Sequence, residues 1–251
     1  MTRILAVIPA RMGSSRFPGK PLAPLLGRPM IEHVYRRTAA CAIVNDVIVA
    51  TCDEEIVRAV KTFGGRAVMT SAKHARASDR VAEASKQEQA EIIVMVQGDE
   101  PMIHPEMIAA AVAPLLAEPD LGCVNLVAPI WTVEGARDPN TIKVVVACNG
   151  NALFFSREPI PTLWNRPFVR GAWCKQVCVI PFRRSLLERF ATLPPTPLEA
   201  AESIDMLRLL EHGIPVRMVP TDVETQSVDT PRDLEIVAAM LACDPFTATY
   251  P

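Results

Sequence analysis

Ile4-Leu5-Ala6-Val7-Ile8-Pro9-Ala10-Arg11-Met12-Gly13-Ser14-Ser15-Arg16-Phe17-Pro18-Gly19-Lys20-Pro21-Leu22 runs an aliphatic stretch straight into a loop with three cations. The apolar run reads as a buried strand, and the loop after it sits where open α/β sheets collect their ligands, at a strand's carboxyl end. Gly13 and Gly19 allow close backbone approach, Pro9, Pro18 and Pro21 stiffen the loop, and Arg11, Arg16 and Lys20 can meet phosphate oxygens. The spacing is neither the Walker pattern GxxxxGK[ST] nor the dinucleotide fingerprint GxGxxG. It points to a triphosphate loop of another kind; an ordinary strand-to-helix connection with solvated charges is the plain alternative.

A second buried-type strand, Ile92-Ile93-Val94-Met95-Val96, ends in Gln97-Gly98-Asp99-Glu100-Pro101. If both strands belong to one parallel sheet, the basic loop and this acidic tip share a crevice, where Asp99 could bind Mg²⁺ that bridges phosphate oxygens. The alternative is an aspartate in a tight turn. Around these strands, extended and helical segments alternate: strands over 3–8, 46–50, 67–69 and 92–96, and helices over 29–40, 53–63, 79–89 and 105–117. That alternation predicts a mostly parallel sheet flanked by helices. Asp53, followed by Glu54 and Glu55, reads as a helix N-cap, and Gly64-Gly65 as its stop. Beyond Pro119 the pattern becomes mixed, with extended runs over 123–130, 143–147 and 152–156 and a hairpin turn at Asn149-Gly150. Helices over 184–191 and 198–211, a strand over 215–219 and a helix over 231–243 follow, and 244–251 reads as a loose tail. The expected organisation is one α/β domain over 1–243, with a nucleotide half over 1–118 and a mixed half over 119–243.

Composition narrows the function. The chain has 251 residues, 49% of them hydrophobic, enough for a full core. A net charge of -2 leaves no basic excess to hold nucleic acid. Seven cysteines, an odd number mostly within apolar runs, read as reduced thiols and point to the cytoplasm. Cys174 and Cys178 lack the spacing and partners of a zinc site. The first residues contain no long apolar run, so neither a signal peptide nor a membrane span is expected there.

The two loops together resemble the CMP-Kdo synthetase family, the cytidylyltransferases that activate 3-deoxy-manno-octulosonate with CTP. Residues 4–22, 46–53, 94–105, 138–145, 152–161, 197–210 and 227–237 look like family segments in family order. The most specific are the PAR…S-x-R-x-PGKPL loop, the VQGDEP turn, FSR-x-x-IP and VDTP-x-DL. The resemblance implies a Rossmann-like, GT-A-like nucleotidyltransferase fold with a mixed β insertion in its second half. It also implies transfer of CMP to an anionic acceptor with release of pyrophosphate, a displacement that needs no protein nucleophile. Arg11, Lys20 and Asp99 would be the catalytic residues. Pro9, Ala10, Arg11, Arg16, Lys20, Ser78, Arg80 and Gln97 would bind CTP, and Asp99 and Asp229 would hold Mg²⁺. Asp229 could equally cap the last helix, and Arg80 could be a surface residue paired with Glu83. Gln97 could face base, ribose or acceptor.

On the acceptor side the chain departs from its relatives. Family members resemble RHLGIYGYR where this chain has Lys175-Gln176-Val177-Cys178-Val179-Ile180-Pro181-Phe182-Arg183, so a His and a Tyr that contact the sugar acid become Gln176 and Ile180. Asp205 falls where a Glu is common, and Arg76 replaces a small polar residue. A pocket losing polar partners for hydroxyls loses selectivity for a polyhydroxylated ligand. A smaller anion such as phosphonoformate, the substrate of similar cytidylyltransferases in phosphonate antibiotic pathways, is therefore the second acceptor candidate. Arg76, Gln97, Arg157, Lys175, Gln176 and Asp205 are the acceptor-site candidates. A catalytically silent CTP binder remains an alternative, and a nicotinamide dehydrogenase is disfavoured by the glycine spacing. The resemblance implies a homodimer built through the mixed second half, the usual state of family members, and Val144, Val145 and Phe154 could form such a patch, or simply a core.

Overall fold

A computed structural model describes residues 2–14, 16–162 and 168–249. The chain divides into two compact units, residues 1–109 with 225–251, and residues 110–224. The expected halves met at 118/119 and assigned the last helix to the second half; the chain instead returns to its first unit at residue 225. The reason is apolar: Val228, Val237 and Leu241 pack with Leu25, Met30 and Met102.

The first unit contains β1 (Ile4–Pro9), the short strands β2 (Pro24–Leu25) and β3 (Arg28–Pro29), α1 (Met30–Ala39), β4 (Asp46–Thr51), α2 (Glu54–Thr62), β5 (Ala67–Met69), α3 (Ala77–Ser85) and β6 (Ile92–Val96). The strands β6-β1-β4-β5 lie side by side in that order, all parallel. Every residue of β1 and β6 is buried, which is why neither shows an alternating pattern. Helix α4 (Pro105–Ala117) then leads out of the first unit.

The second unit contains β7 (Val124–Pro129), α5 (Val133–Arg137), β8 (Lys143–Val146), β9 (Ala152–Ser156), β10 (Cys174–Val177), β11 (Val179–Arg183), α6 (Arg184–Thr192), α7 (Pro197–Glu202), α8 (Met206–Glu211) and β12 (Arg217–Pro220). Its sheet runs β12-β7-β10-β8-β9 and is mixed: β12 is parallel to β7, the other pairs are antiparallel. The β8–β9 hairpin turns at Gly150, whose φ of 81° suits glycine. Its pairing shifts between Val145 and Val146, so Leu153 bulges out and is exposed. Val144 is core within its own chain, while Val145 and Phe154 pair across the hairpin half-buried. The chain closes, back in the first unit, with α9 (Pro231–Cys243).

Several expectations need correction. The single helix over 198–211 is two helices, because Ser203 adopts a left-handed conformation (φ 56°) and the buried Arg208 turns back onto Glu199. The helix expected over 79–89 spans Ala77–Ser85. Nothing in the hydrophobic pattern announced α5, a helix of five residues. The tail expected to be loose forms a 3-10 turn, Pro245–Ala248, in which Asp244 and Thr247 bind the fully buried guanidinium of Arg37; residues 250 and 251 lie outside the described part. Among the described residues no helix is long and apolar enough to cross a membrane.

Candidate active site

The basic loop starts where β1 ends, and backbone bonds shape it. Ala10 N–H donates to Ala50 O (3.0 Å), which ties the loop's first residue to β4. Met12 O accepts from both Ser14 N–H (2.9 Å) and Gly19 N–H (3.0 Å), folding the loop back on itself. Gly19 sits at φ 74° and opens a 3-10 turn, Lys20–Leu22, that aims Lys20 inward. From outside the loop, the Asp53 carboxylate accepts from Met12 N–H (2.8 Å). Asp53 does stand at the N-cap of α2, but its carboxylate makes no cap bond there, so its side chain anchors the loop instead.

The acidic tip of β6 lies against the start of this loop because residue 98 has no side chain. A Cβ there would stand 2.8 Å from Pro9 O, closer than real contacts allow. Asp99 O in turn accepts from Val228 N–H (2.9 Å), which brings in the segment before α9.

Lys20 joins all three segments. Its Nζ donates to Asp99 Oδ2 (2.8 Å) and to Val228 O (2.7 Å), and stands 3.6 Å from Asp229 Oδ1. Arg16 donates to the same Asp229 Oδ1 at 2.8 Å from the solvent side. Asp229 is not the cap of α9; Thr230 caps it, in a reciprocal box with Asp233, which leaves the Asp229 carboxylate available to the cations. Burial, reinforced by the like charge of Asp99, holds the Asp229 carboxyl above its usual range against the pull of Lys20 and Arg16. For Lys20 burial is the largest influence and works downward, yet Asp99 and Asp229 outweigh it and raise the ammonium above its ordinary value. Two carboxylates and a carbonyl around one cation are hard oxygen donors, the set Mg²⁺ takes from a protein when substrate phosphates and water complete its shell. Among the described residues no cluster of three or more His, Cys, Asp or Glu could hold a metal; the two carboxylates that face Lys20 Nζ, Asp99 and Asp229, are the residues that would offer one oxygen donors.

The remaining candidates of the first unit lie as follows. Arg11 is exposed just past the end of β1, and Pro9 and Ala10 are buried beside it. Gln97 is half-buried at the tip of β6, and Arg76 precedes α3 as its N-cap. Ser78 is fully buried with its hydroxyl 3.9 Å from Met95 Sδ, turned toward β6. Arg80 is buried and donates to Thr70 Oγ1, so the surface pairing with Glu83 is corrected; Glu83 pairs with His74 instead.

In the second unit the acceptor candidates are more engaged than their sequence suggests. Arg157 donates from Nε to Glu202 O (2.7 Å) and from its terminal nitrogens to Pro139 O (2.8 Å) and Ser203 O (3.5 Å). Its backbone N–H and the Ser156 hydroxyl bind the two Glu202 oxygens. Lys143, buried, donates to Asp138 O (2.8 Å) and to Arg157 O, and burial lowers its pKa. Glu202 and Lys143 thus hold the Phe155-Ser156-Arg157 run in place, and no local pattern marks either as doing so. Gln176 donates its amide to Asn125 Oδ1 on β7. Lys175 and Asp205 are half-buried, on β10 and at the start of α8.

Cations after one strand, a carboxylate after its neighbour, a second carboxylate brought by the segment before α9 and a parallel sheet beneath them form the kind of site a nucleotidyltransferase uses. Known proteins specify which kind. A family profile described as Cytidylyltransferase matches residues 5–219. The 3-deoxy-manno-octulosonate cytidylyltransferase of Geobacter metallireducens is 47% identical over 249 residues, covering 96% of this chain and 98% of its own, and that of Syntrophobacter fumaroxidans is 43% identical over 245 residues, covering 96% and 98%. A solved CMP:2-keto-3-deoxy-manno-octonic acid synthetase complexed with CTP superposes with a TM-score of 0.88 at 41% identity, over 96% of this chain and 99% of that one. A 4-diphosphocytidyl-2C-methyl-D-erythritol synthase from Anaerococcus prevotii, 15% identical with a TM-score of 0.62 over 96% of this chain and 99% of that one, shares the fold alone. The chain belongs to the CMP-Kdo synthetase family and is a cytidylyltransferase.

Proposed function

We propose that the protein transfers CMP from CTP to a 3-deoxy sugar acid of the octulosonate type, with Mg²⁺ held by Asp99 and Asp229. The observation that carries this reading is Lys20 Nζ placed 2.8 Å from Asp99 and 3.6 Å from Asp229 under a loop that presents Arg11 and Arg16. Arg11, Arg16 and Lys20 bind the triphosphate; the acceptor oxygen bonds to the α-phosphorus while the bond to the pyrophosphate oxygen breaks. Held by Asp99 and Asp229, Mg²⁺ would supply charge neutralisation of the phosphates. The chain's own part is positioning: Asp53 fixes Met12, Gly98 keeps the acids against Pro9, and Val228 ties Asp229 to Asp99. In this reading Ser78 and Arg80 shape the base side from behind, and Gln97 reaches from the β6 tip toward the nucleotide or the acceptor.

A second acceptor is favoured by a specific observation. Ile180 is buried and apolar, and the Gln176 amide nitrogen already donates to Asn125, so this strand offers the hydroxyls of a sugar acid fewer polar partners than a His and a Tyr would. A small phosphonate such as phosphonoformate makes fewer such demands, and Arg157, Lys175 and Asp205 of the second unit then set the charge that it meets there. The test is a pyrophosphate-release screen with CTP, Mg²⁺ and 3-deoxy-manno-octulosonate, other ulosonates, phosphonoformate and further phosphonates. Turnover with an ulosonate supports the first acceptor, turnover with the phosphonate alone the second, and none with any acid replaces both with a CTP binder. A homodimer in the cytoplasm, with Val145 and Phe154 near its interface, completes the proposal; light scattering reports the copy number.

A further inference from the structure

We infer that Lys20 occupies the cation position between Asp99 and Asp229 until a divalent ion takes it, so that the ion's entry releases the ammonium to the triphosphate. Metal and nucleotide then bind cooperatively. The inference rests on the cytidylyltransferase reading above and goes beyond it in assigning Lys20 two successive partners.

The geometry is that of a cation already seated. Lys20 Nζ hydrogen-bonds Asp99 Oδ2 at 2.8 Å and Val228 O at 2.7 Å, and Asp229 Oδ1 lies 3.6 Å away. An ammonium is a compact, strongly hydrated point charge with three donors, and here protein oxygens replace much of its water. On the outer side Arg16 holds Asp229 at 2.8 Å. Two cations of the loop and the two acids therefore neutralise one another. A divalent ion arriving alone must displace Lys20 from both carboxylates. A triphosphate arriving alone finds Lys20 and Arg16 engaged and two carboxylates behind them. Arriving together, each removes the obstacle to the other: the ion takes the carboxylates, and the freed ammonium and guanidinium take phosphate oxygens. No covalent bond changes, and the backbone of the turn around Lys20, set by Gly19, need not move. By linkage, whatever factor the ion adds to nucleotide affinity the nucleotide returns to the ion.

The test uses Mn²⁺ as the probe, its binding to the nucleotide-free protein followed by electron paramagnetic resonance. Lys20→Gln keeps a donor for Val228 O but removes the charge, and Lys20→Arg keeps the charge. The expected result is Mn²⁺ binding about tenfold tighter in Lys20→Gln than in wild type, the size of one close charge repulsion relieved, with Lys20→Arg near wild type. Lys20→Met, equally uncharged, repeats the measurement should the glutamine variant fold poorly. Neutral variants that bind Mn²⁺ no more tightly than wild type overturn the inference while leaving the enzyme reading intact. Failure of wild type to bind CTP with Mn²⁺ present overturns the enzyme reading itself.

Discussion

Asp99 is where the account can be broken with one atom. Asp99→Asn keeps the shape and loses the charge, and pyrophosphate release should fall on the order of a hundredfold or more, the scale of deleting one preorganised charge from such a site. Steady-state kinetics check this, and the circular dichroism spectrum should be unchanged. Gly98 matters for a different reason: the Cβ of Gly98→Ala meets the Pro9 carbonyl at 2.8 Å, so the acids must shift away from the loop. Activity and melting temperature should both drop, whereas Gly13→Ala, with open space around its site, should leave the melting temperature nearly unchanged. These central residues were legible because their chemistry is local: three cations after one buried strand and an acid after another, and a parallel sheet puts such tips side by side. The roles of Arg157 and Gln176 were not legible. Their partners, Glu202 and Asn125, lie 45 and 51 residues away, and a lone charge or amide in a sequence does not announce a carbonyl or carboxamide that the fold delivers.

Among elements, the outcome depended on whether periodicity or tertiary pairing decides. Strands β1 and β6 and helices α2 and α9 follow from apolar runs and their stops. The helix expected over 198–211 failed because residues on both sides of Ser203 are individually good helix formers, and what breaks the run is a buried ion pair, Arg208 to Glu199 at 2.6 Å. Glu199→Ala strands the arginine and should cost about 3–5 kcal/mol in urea unfolding. Helix α1 carries a second buried device. His33 Nε2 lies 2.7 Å from Leu25 O; a carbonyl only accepts, so that nitrogen bears the proton of a neutral ring. Burial, with Arg37 and Arg28 nearby, holds His33 below its ordinary pKa in spite of the bond to Leu25 and the charge of Glu32. The unfolded chain therefore takes up a proton that the folded chain refuses, and this contribution to stability, complete above the ordinary histidine pKa, declines as pH falls through it. Unfolding midpoints should fall between about pH 7 and about pH 5. His33→Gln, which retains an N–H donor for Leu25 O, should flatten that slope.

At the scale of the whole molecule, the last 27 residues complete the first unit after an excursion of more than a hundred through the second. The site depends on that return, since Val228 and Asp229 arrive only with it. Sequence order conceals this, since a boundary at 118/119 separates Asp229 from Asp99; the parallel sheet, the mixed second half and the two loops are legible in the apolar runs and the residues that follow them. The claim on which everything else depends is that the basic loop and the two acids form one CTP and Mg²⁺ site. Its most direct test is pyrophosphate release from CTP in the presence of 3-deoxy-manno-octulosonate or phosphonoformate, with and without Mg²⁺, by wild type and Asp229→Asn. Release by the wild type is expected only with Mg²⁺, with a loss on the order of a hundredfold in the variant; release by Asp229→Asn at the wild-type rate would contradict a shared site.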